Sequence, residues 1–546
     1  MATNKILALL GGGALLISAK TIRSPTPPMG WNSYNSYSCS PSEDKIKTSA
    51  NGLVALGLDT VGYNFVTVDC GWPSRDRDAE GRLQWNETLF PSGGAAMGEF
   101  LHGLGLGFGL YSGAGYLQCG STDLPASLGF EDVDARRFEE WGGDSLKYDN
   151  CYATSSTTMV DSDSAESQSP GRFETMATSL DNLDRDMHYF ICQWGIGQNV
   201  GSWASKIGNT WRMSNDIYNA WRSIWRITNE VVPYYRHTTI GAFADMDMLI
   251  VGLNALSIEE ERFHFGMWAM NKSPLIIGAV MDPAKLSPAS LAILENKEVI
   301  AINQDPLATQ ARLVQRYTEE EWDIWLGNLS GSRKVLGVAN WRNDSRSVEV
   351  DLSTIGIGSA SARDVWAAAH VGTVSGVQKL DLAGHELKLW ILSDMTPTTA
   401  PLQSSGYHSI ADAILTGSAN LTPCATDACL PTHQKASDIN SDAHVSFHSV
   451  SARSAGKKII SVDYINYDYA FKTAWDWGDN TRNMTIQINN GTAKRWAFPI
   501  SGGDWWETGS LIVDMDGFVQ GDNHVVFSGA RGDTWAPDLV GFELLE

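Results

Sequence analysis

Between Pro28 and about residue 280, short apolar runs alternate with amphipathic stretches eight times. We read strands at residues 29–31, 64–69, 107–111, 145–149, 188–193, 210–213, 242–247 and 275–278. The stretches between them repeat apolar residues at helical spacing. Residues 42–56 put Ile46, Ala50, Leu53 and Val54 on one face, with Ser42 as N-cap, and residues 258–270 and 284–296 read as further helices. Eight strand–helix units favour parallel strands with helices outside, and so a (β/α)8 TIM barrel. A doubly wound sheet is the alternative, but no dinucleotide fingerprint supports it. The Gly-rich run 103–109 lacks the Gly-Lys-Ser/Thr ending of a phosphate loop, and we read it as room for helix-to-strand packing.

After Pro306 the period changes to two. Residues 313–317, 321–325, 334–341, 347–352 and 386–392 alternate apolar and polar, as half-buried antiparallel strands do. The α/β architecture expected is thus a (β/α)8 barrel over 25–305 and an antiparallel β-sandwich domain over 310–395. A Pro/Thr/Ser linker at 396–406 leads to a C-terminal β-sandwich module over 407–546. We expect the module to be separable, so that deleting 405–546 leaves turnover of small substrates intact. Trp475, Trp477, Trp505 and Trp506 read as a sugar platform or as core aromatics.

Lys5, the apolar run 6–17 and Ser18-Ala19 read as a signal peptide over 1–19, which makes the chain secreted and extracellular. Sequons at Asn86, Asn328, Asn343, Asn420, Asn483 and Asn490 agree with export, and Asn271 fits the pattern in a context that looks buried. Seven cysteines in such a chain suggest disulfides and one leftover thiol. We pair Cys39 with Cys70, Cys119 with Cys151 and Cys424 with Cys429, leaving Cys192 buried and free. A net charge of −23 argues against nucleic acid or an anionic membrane as partner, and 21 Trp favour a carbohydrate. The oligomeric state is not legible.

Acidic residues recur at the ends of the barrel strands: Asp69, Asp149, Asp216, Asp245 and Asp247. Strand ends build the active site of such a barrel. Lys147 and Asp149 lie two apart and so share a face, where the cation favours the ionised carboxylate a nucleophile needs. Asp149 and Asp216 follow the fourth and sixth strands, so they can face one another across the mouth, and Arg212 can hold Asp216 or a sugar hydroxyl. Two facing carboxyl groups are what glycoside hydrolysis requires. Apart from Asp245-Met-Asp247 the carboxylates lack common metal spacing, and we expect no metal or cofactor in catalysis.

Pro27-Pro-Met-Gly-Trp-Asn-Ser-Tyr, Leu146-Lys-Tyr-Asp-Asn-Cys, Trp211-Arg with Asp216, Asp245-Met-Asp-Met-Leu and Val299-Ile-Ala-Ile-Asn-Gln-Asp-Pro resemble glycoside hydrolase family 27, over roughly residues 25–395. The resemblance implies a secreted retaining exo-α-galactosidase acting on galactose-containing oligo- or polysaccharides. It makes Asp149 the nucleophile and Asp216 the acid/base. Trp31, Asp69, Tyr111, Lys147, Arg212 and Asp247 match sugar-binding positions, and Cys119 with Cys151 matches a disulfide beside the pocket. Two departures stand out. The family's Asp-Asp-Cys-Trp is here Asp69-Cys70-Gly71-Trp72, and its Cys-Glu-Trp is Cys192-Gln193-Trp194. We therefore keep β-L-arabinopyranosidase and α-N-acetylgalactosaminidase as alternatives, the latter needing small residues such as Gly195 and Gly197. A non-catalytic sugar-binding protein on the same scaffold is a third. The C-terminal region resembles a family 35-type carbohydrate-binding module, which implies a β-sandwich that often holds a structural Ca2+.

Overall fold

The computed structural model describes residues 24–160, 167–195, 199–468, 480–533 and 535–546. The segment read as a signal peptide, Gly197, Trp475 and Trp477 lie outside the described residues. Eight strands, β1 (Met29–Asn32), β2 (Phe65–Thr67), β3 (Gly107–Gly113), β4 (Ser145–Asp149), β5 (His188–Cys192), β6 (Thr210–Arg212), β7 (Phe243–Asp245) and β8 (Leu275–Ile277), pair in parallel in the order β7-β6-β5-β4-β3-β2-β1-β8. The ring closes through Leu249, just past β7, which bridges Ile277 in parallel and exchanges backbone hydrogen bonds with Ile276 and Gly278. This is the (β/α)8 barrel expected. The strand read at 242–247 stops at Asp245 because Asp247 takes a left-handed φ of +75°, which turns the chain before it rejoins the ladder at Leu249.

Four of the α-helices start where a side chain satisfies free N–H groups of the first turn. Ser42 accepts from Lys45 N ahead of helix Glu43–Ala55, and Ser257 and Glu260 form a reciprocal capping box ahead of helix Ile258–Met270. The helix read at 284–296 is shorter, Pro288–Leu294, capped by Ser287. The Gly-rich run packs strand on strand, not helix on strand. A Cβ on Gly109 would lie 2.2 Å from Thr67 Oγ1 on β2, and one on Gly107 would lie 2.9 Å from the Phe65 ring.

A six-stranded antiparallel sheet follows, in the order β14-β13-β16-β11-β10-β9. Its strands are β9 (Arg312–Tyr317), β10 (Trp322–Leu329), β11 (Arg333–Asn340), β13 (Ile357–Asp364), β14 (Ala369–Ser375) and β16 (Leu387–Pro397), and β12 (Arg346–Asp351) with β15 (Val377–Leu382) forms a small second sheet. Sequence reading passes over β13, β14 and β15. Six of the seven β14 residues are exposed, so its side chains show no alternation to detect. Strand β16 runs on to Pro397 and the next strand opens at Ser404, inside the stretch read as linker.

Residues 404–546 build a six-stranded and a five-stranded antiparallel sheet around Phe447, Val462, Ile486, Phe527 and Phe542. This sandwich is docked on the rest of the chain. Arg236 donates to the Ser501 and Thr508 carbonyls (3.0 and 2.6 Å) and pairs with Glu507 at 2.8 Å. Ile500 N donates to Asn229 O, Asn480 Nδ2 to Arg226 O, and Ala497 N to Thr318 Oγ1. Arg316 is 1% exposed and held bidentately by Asp323, and its third arm reaches Ala497 O. Removing these partners leaves buried donors and acceptors unpaired, at about 1–3 kcal/mol each. Truncation after residue 403 is therefore expected to lower Tm by several degrees and to reduce turnover of small substrates, as calorimetry and initial rates will show. Unchanged values would restore the separable module.

Candidate active site

The ends of the barrel strands bring the acidic residues into one mouth with two cations. Asp149 closes β4 and is buried. Its Oδ2 accepts from Tyr111 hydroxyl at 2.9 Å, and its Oδ1 from Asn150 N at 2.9 Å and Trp194 Nε1 at 3.0 Å. Burial pushes its carboxyl up, Lys147 opposes the shift, and the charge of Asp216 adds to it. The direct partner of Lys147 is not Asp149, as its spacing suggests, but Asp69, whose Oδ2 lies 2.8 Å from Nζ. Asp69 also accepts from Asn32 Nδ2 at 2.7 Å. The reason is the layering of a barrel: β2 and β4 are alternate strands, so the end of β2 brings Asp69 into the layer that Lys147 enters from β4.

Arg212, at the end of β6, is the second cation and is 3% exposed. It reaches Asp216 Oδ1 at 2.9 Å with one arm and Asp247 Oδ1 at 3.0 Å with the other. Asp247 accepts from Ile217 N at 2.7 Å, so one carboxylate ties the loop after β6 to the loop after β7. Burial raises its carboxyl and drives that of Asp245 up to about 6. Asp216 is the more open of the two carboxylates on Arg212, with its side chain 24% exposed against 3% for Asp247.

Of the remaining candidates, Trp31 is fully enclosed and donates to Ala279 O, so it shapes the floor without offering its N–H. Tyr111 is likewise enclosed and committed to Asp149. Gln193 is fully buried, its Oε1 accepts from Gly195 N, and its Nε2 points at Ser169. Cys70 is held in a disulfide with Cys39, Cys119 with Cys151 and Cys424 with Cys429, and Cys192 is free and buried, 3.8 Å from Arg212.

Four residues escaped the sequence reading. Asn32 and Trp194 contact Asp69 and Asp149 directly. Burial pushes the Tyr34 hydroxyl up, and the charges of Asp216, Asp69 and Asp149 add to the shift. Trp194 carries a φ of +78°, which a bulky residue adopts only when the surroundings impose it. The fourth is Arg226, 1% exposed, which donates to the main-chain carbonyls of Asp216 (2.8 Å) and Asn215 (3.3 Å) and lies 3.6 Å from Glu230. A signal was available: Trp221-Arg-Ser-Ile-Trp-Arg-Ile-Thr-Asn-Glu is a helix with Arg226 and Glu230 on its apolar face.

The arrangement is an acidic mouth at the C-terminal end of a (β/α)8 barrel, with two cations balancing several carboxylates, which defines a hydrolase-type barrel. Residues 26–305 match the family described as Alpha galactosidase A, and residues 319–392 match the Alpha galactosidase C-terminal beta sandwich domain. The chain belongs to the α-galactosidase family, glycoside hydrolase family 27. It is 38% identical to a probable α-galactosidase D of Aspergillus fumigatus, over 95% of this chain and 96% of that one. The solved α-galactosidase I from Mortierella vinacea superposes with a TM-score of 0.64 at 31% identity, over 69% of this chain and 99% of that one. A β-L-arabinopyranosidase from Geobacillus stearothermophilus shares the fold at a TM-score of 0.60 and 21% identity, over 68% of this chain and 96% of that one.

Glu230 offers a pH test of this packing. Burial drives its carboxyl up to about 8 from 4.5, so the folded state holds that proton more tightly than the unfolded chain. Its contribution to stability is complete below about pH 4.5 and is lost as pH rises to about 8. Glu230→Gln is expected to match the parent Tm near pH 5 and exceed it at pH 8, read by thermal melts at both. An equal difference at both pH values would mean that Glu230 is not proton-linked.

Proposed function

We propose that the protein is a secreted, retaining exo-α-galactosidase that removes terminal α-D-galactosyl residues from oligo- or polysaccharides. The observation that carries this reading is the pair of Asp149 at the end of β4 and Asp216 in the loop after β6 of a family barrel, one buried and hydrogen-bonded on both oxygens, the other more open. Asp149 attacks the anomeric carbon while Asp216 protonates the departing oxygen. A water then displaces the sugar from Asp149 as Asp216 takes its proton. Tyr111 and Trp194 aim the Asp149 oxygens, and the carboxylate loses negative charge as the bond forms, so burial favours the step. Arg212 holds Asp216 in place and Arg226 holds its backbone.

The pocket roles follow from charge and reach. Lys147 and Asp69 form a donor–acceptor pair for two sugar hydroxyls, and Arg212 with Asp247 forms a second. Trp31 and Tyr111 shape the wall. Of the two departures from the family pattern, Gln193 bears on sugar choice through the Gly195 backbone that its amide oxygen holds. Cys70 bears on it too, since a disulfide sulfur cannot anchor a hydroxyl as a carboxylate does, and β-L-arabinopyranoside, lacking the 6-hydroxymethyl group, is the sugar this loss would tolerate. Galactose is favoured by the α-galactosidases at 31% and 38% identity. A non-catalytic binder is disfavoured by the intact carboxylates and both cations.

Export is supported by three disulfides and by exposed sequon residues at Asn328, Asn343, Asn420 and Asn490, while Asn271 is buried. Among the described residues, no helix is long and apolar enough to cross a membrane. The C-terminal sandwich agrees in architecture with a family 35-type carbohydrate-binding module. Of the platform tryptophans, Trp506 is 45% exposed and Trp505 packs beside the Cys424–Cys429 disulfide. Among the described residues, the one convergence of three His, Cys, Asp or Glu ligand atoms is Cys119, Asp149 and Cys151, two of them disulfide-bonded. We therefore assign no named ligands to a structural Ca2+.

Initial rates on the p-nitrophenyl glycosides of α-D-galactose, β-L-arabinopyranose and N-acetyl-α-D-galactosamine test the reading, with the first expected to dominate. Asp149→Ala is expected to lower kcat by about 10⁴-fold or more. Asp216→Ala is expected to lose the alkaline limb of the pH profile and to suffer less on a p-nitrophenyl leaving group, which needs little protonation. Dominant release of arabinose would reassign the sugar.

A further inference from the structure

A cleft lined by aromatic side chains lies outside the catalytic mouth. It has a volume of about 320 Å³ and sits where the barrel, the first β domain and the C-terminal sandwich meet. Trp221 and Trp225 line it from helix Trp221–Val231, Tyr317 and Trp322 from β9 and β10, and Asn483 and Arg495 from the C-terminal sandwich. Trp225 sets its ring edge-on to Trp341 at 4.6 Å, and Tyr317 stacks flat on Trp322 at 3.9 Å. On the floor, Arg316 and Asp323 neutralise each other, and Asp323 also accepts from Trp341 Nε1 at 2.8 Å.

We propose that this cleft is a second sugar-binding site, which takes an uncharged pyranose ring from the body of the saccharide whose terminal galactose enters the barrel. The proposal rests on the reading of the barrel as an α-galactosidase. Three features select this ligand. Aromatic rings present the apolar surface on which the C–H face of a pyranose stacks. At the edge, Arg495 donates to Asn483 Oδ1 at 3.3 Å, which sets further guanidinium N–H donors beside an amide oxygen, as vicinal hydroxyls require. The floor charges are internally paired, so nothing there calls for an ion. The volume falls in the range of small-molecule sites, and domain junctions are where such sites occur.

The position also suits a long substrate. Trp221 opens the helix five residues after Asp216, and the loops after barrel strands lie at the catalytic end. On this proposal, the body of a saccharide whose terminal sugar is at Asp149 runs across that face to the cleft. All three domains contribute to the cleft, which gives the C-terminal sandwich a part in substrate binding distinct from the surface around Trp506.

The test compares p-nitrophenyl α-D-galactopyranoside with a galactosylated manno-oligosaccharide on full-length Trp225→Ala and Arg495→Ala variants. Arg495 is exposed, so its removal does not threaten the fold, and melts of both variants check this. Expected are rates on the small substrate within about twofold of the parent and a KM for the oligosaccharide raised roughly five- to tenfold, the loss of one stacked or hydrogen-bonded contact. An oligosaccharide KM unchanged in both folded variants overturns the second site. Absence of any α-galactoside hydrolysis by the parent chain overturns instead the reading of the barrel on which it rests.

Discussion

Two cations, Lys147 and Arg212, stand among five carboxylates at the barrel mouth: Asp69, Asp149, Asp216, Asp245 and Asp247. Much else in the structure answers to that imbalance. Withdrawing an ionised carboxylate from water without a partner costs several kcal/mol, so each must be paired, hydrogen-bonded or held protonated. Lys147 pairs Asp69, Arg212 bridges Asp216 and Asp247, and Tyr111, Trp194 and backbone amides serve Asp149. What is left over appears as carboxyls pushed up by burial, most clearly at Asp245. The excess negative charge also favours the developing positive charge on a sugar ring in the transition state.

The same constraint explains how much of the protein is legible in its sequence. Strand ends are readable because apolar runs stop where charge begins, and the eight barrel strands fall within a residue or two of their expected places. Asp149, Asp216, Lys147 and Arg212 could be singled out for the same reason. Partner choice was not readable. Lys147 sits two residues from Asp149 in sequence yet pairs with Asp69 on a strand end 78 residues away. Gln193 looked like a pocket residue because it replaces a Glu, but a fully buried amide beside Gly195 serves the backbone. Asn32 and Trp194 carry ordinary residue types, and only closure of the ring brings them to the carboxylates.

The docking of the C-terminal sandwich is not legible in the sequence for a different reason. A Pro/Thr/Ser stretch before a run of short strands reads as a tethered module, whereas domain docking depends on isolated contacts such as Arg236 with Glu507 or Asn480 with Arg226 O, which leave no pattern in sequence. The docked face includes the helix that follows the Asp216 loop. Arg226 on that helix holds the Asp216 carbonyl from inside while Asn480 holds the Arg226 carbonyl from outside. Fold and site are thus mechanically continuous across a boundary that composition alone would place between them.

The central claim is that Asp149 forms a covalent bond to the sugar. Its most direct test is to incubate the full-length protein with a 5-fluoro-α-D-galactosyl fluoride, whose slow turnover lets the glycosyl-enzyme accumulate, and to map the adduct by mass spectrometry after acid proteolysis. The account predicts one sugar per chain, on the carboxyl of Asp149 and absent from Asp149→Ala. An adduct on another carboxylate, or steady turnover of the galactoside with no adduct formed, would contradict it.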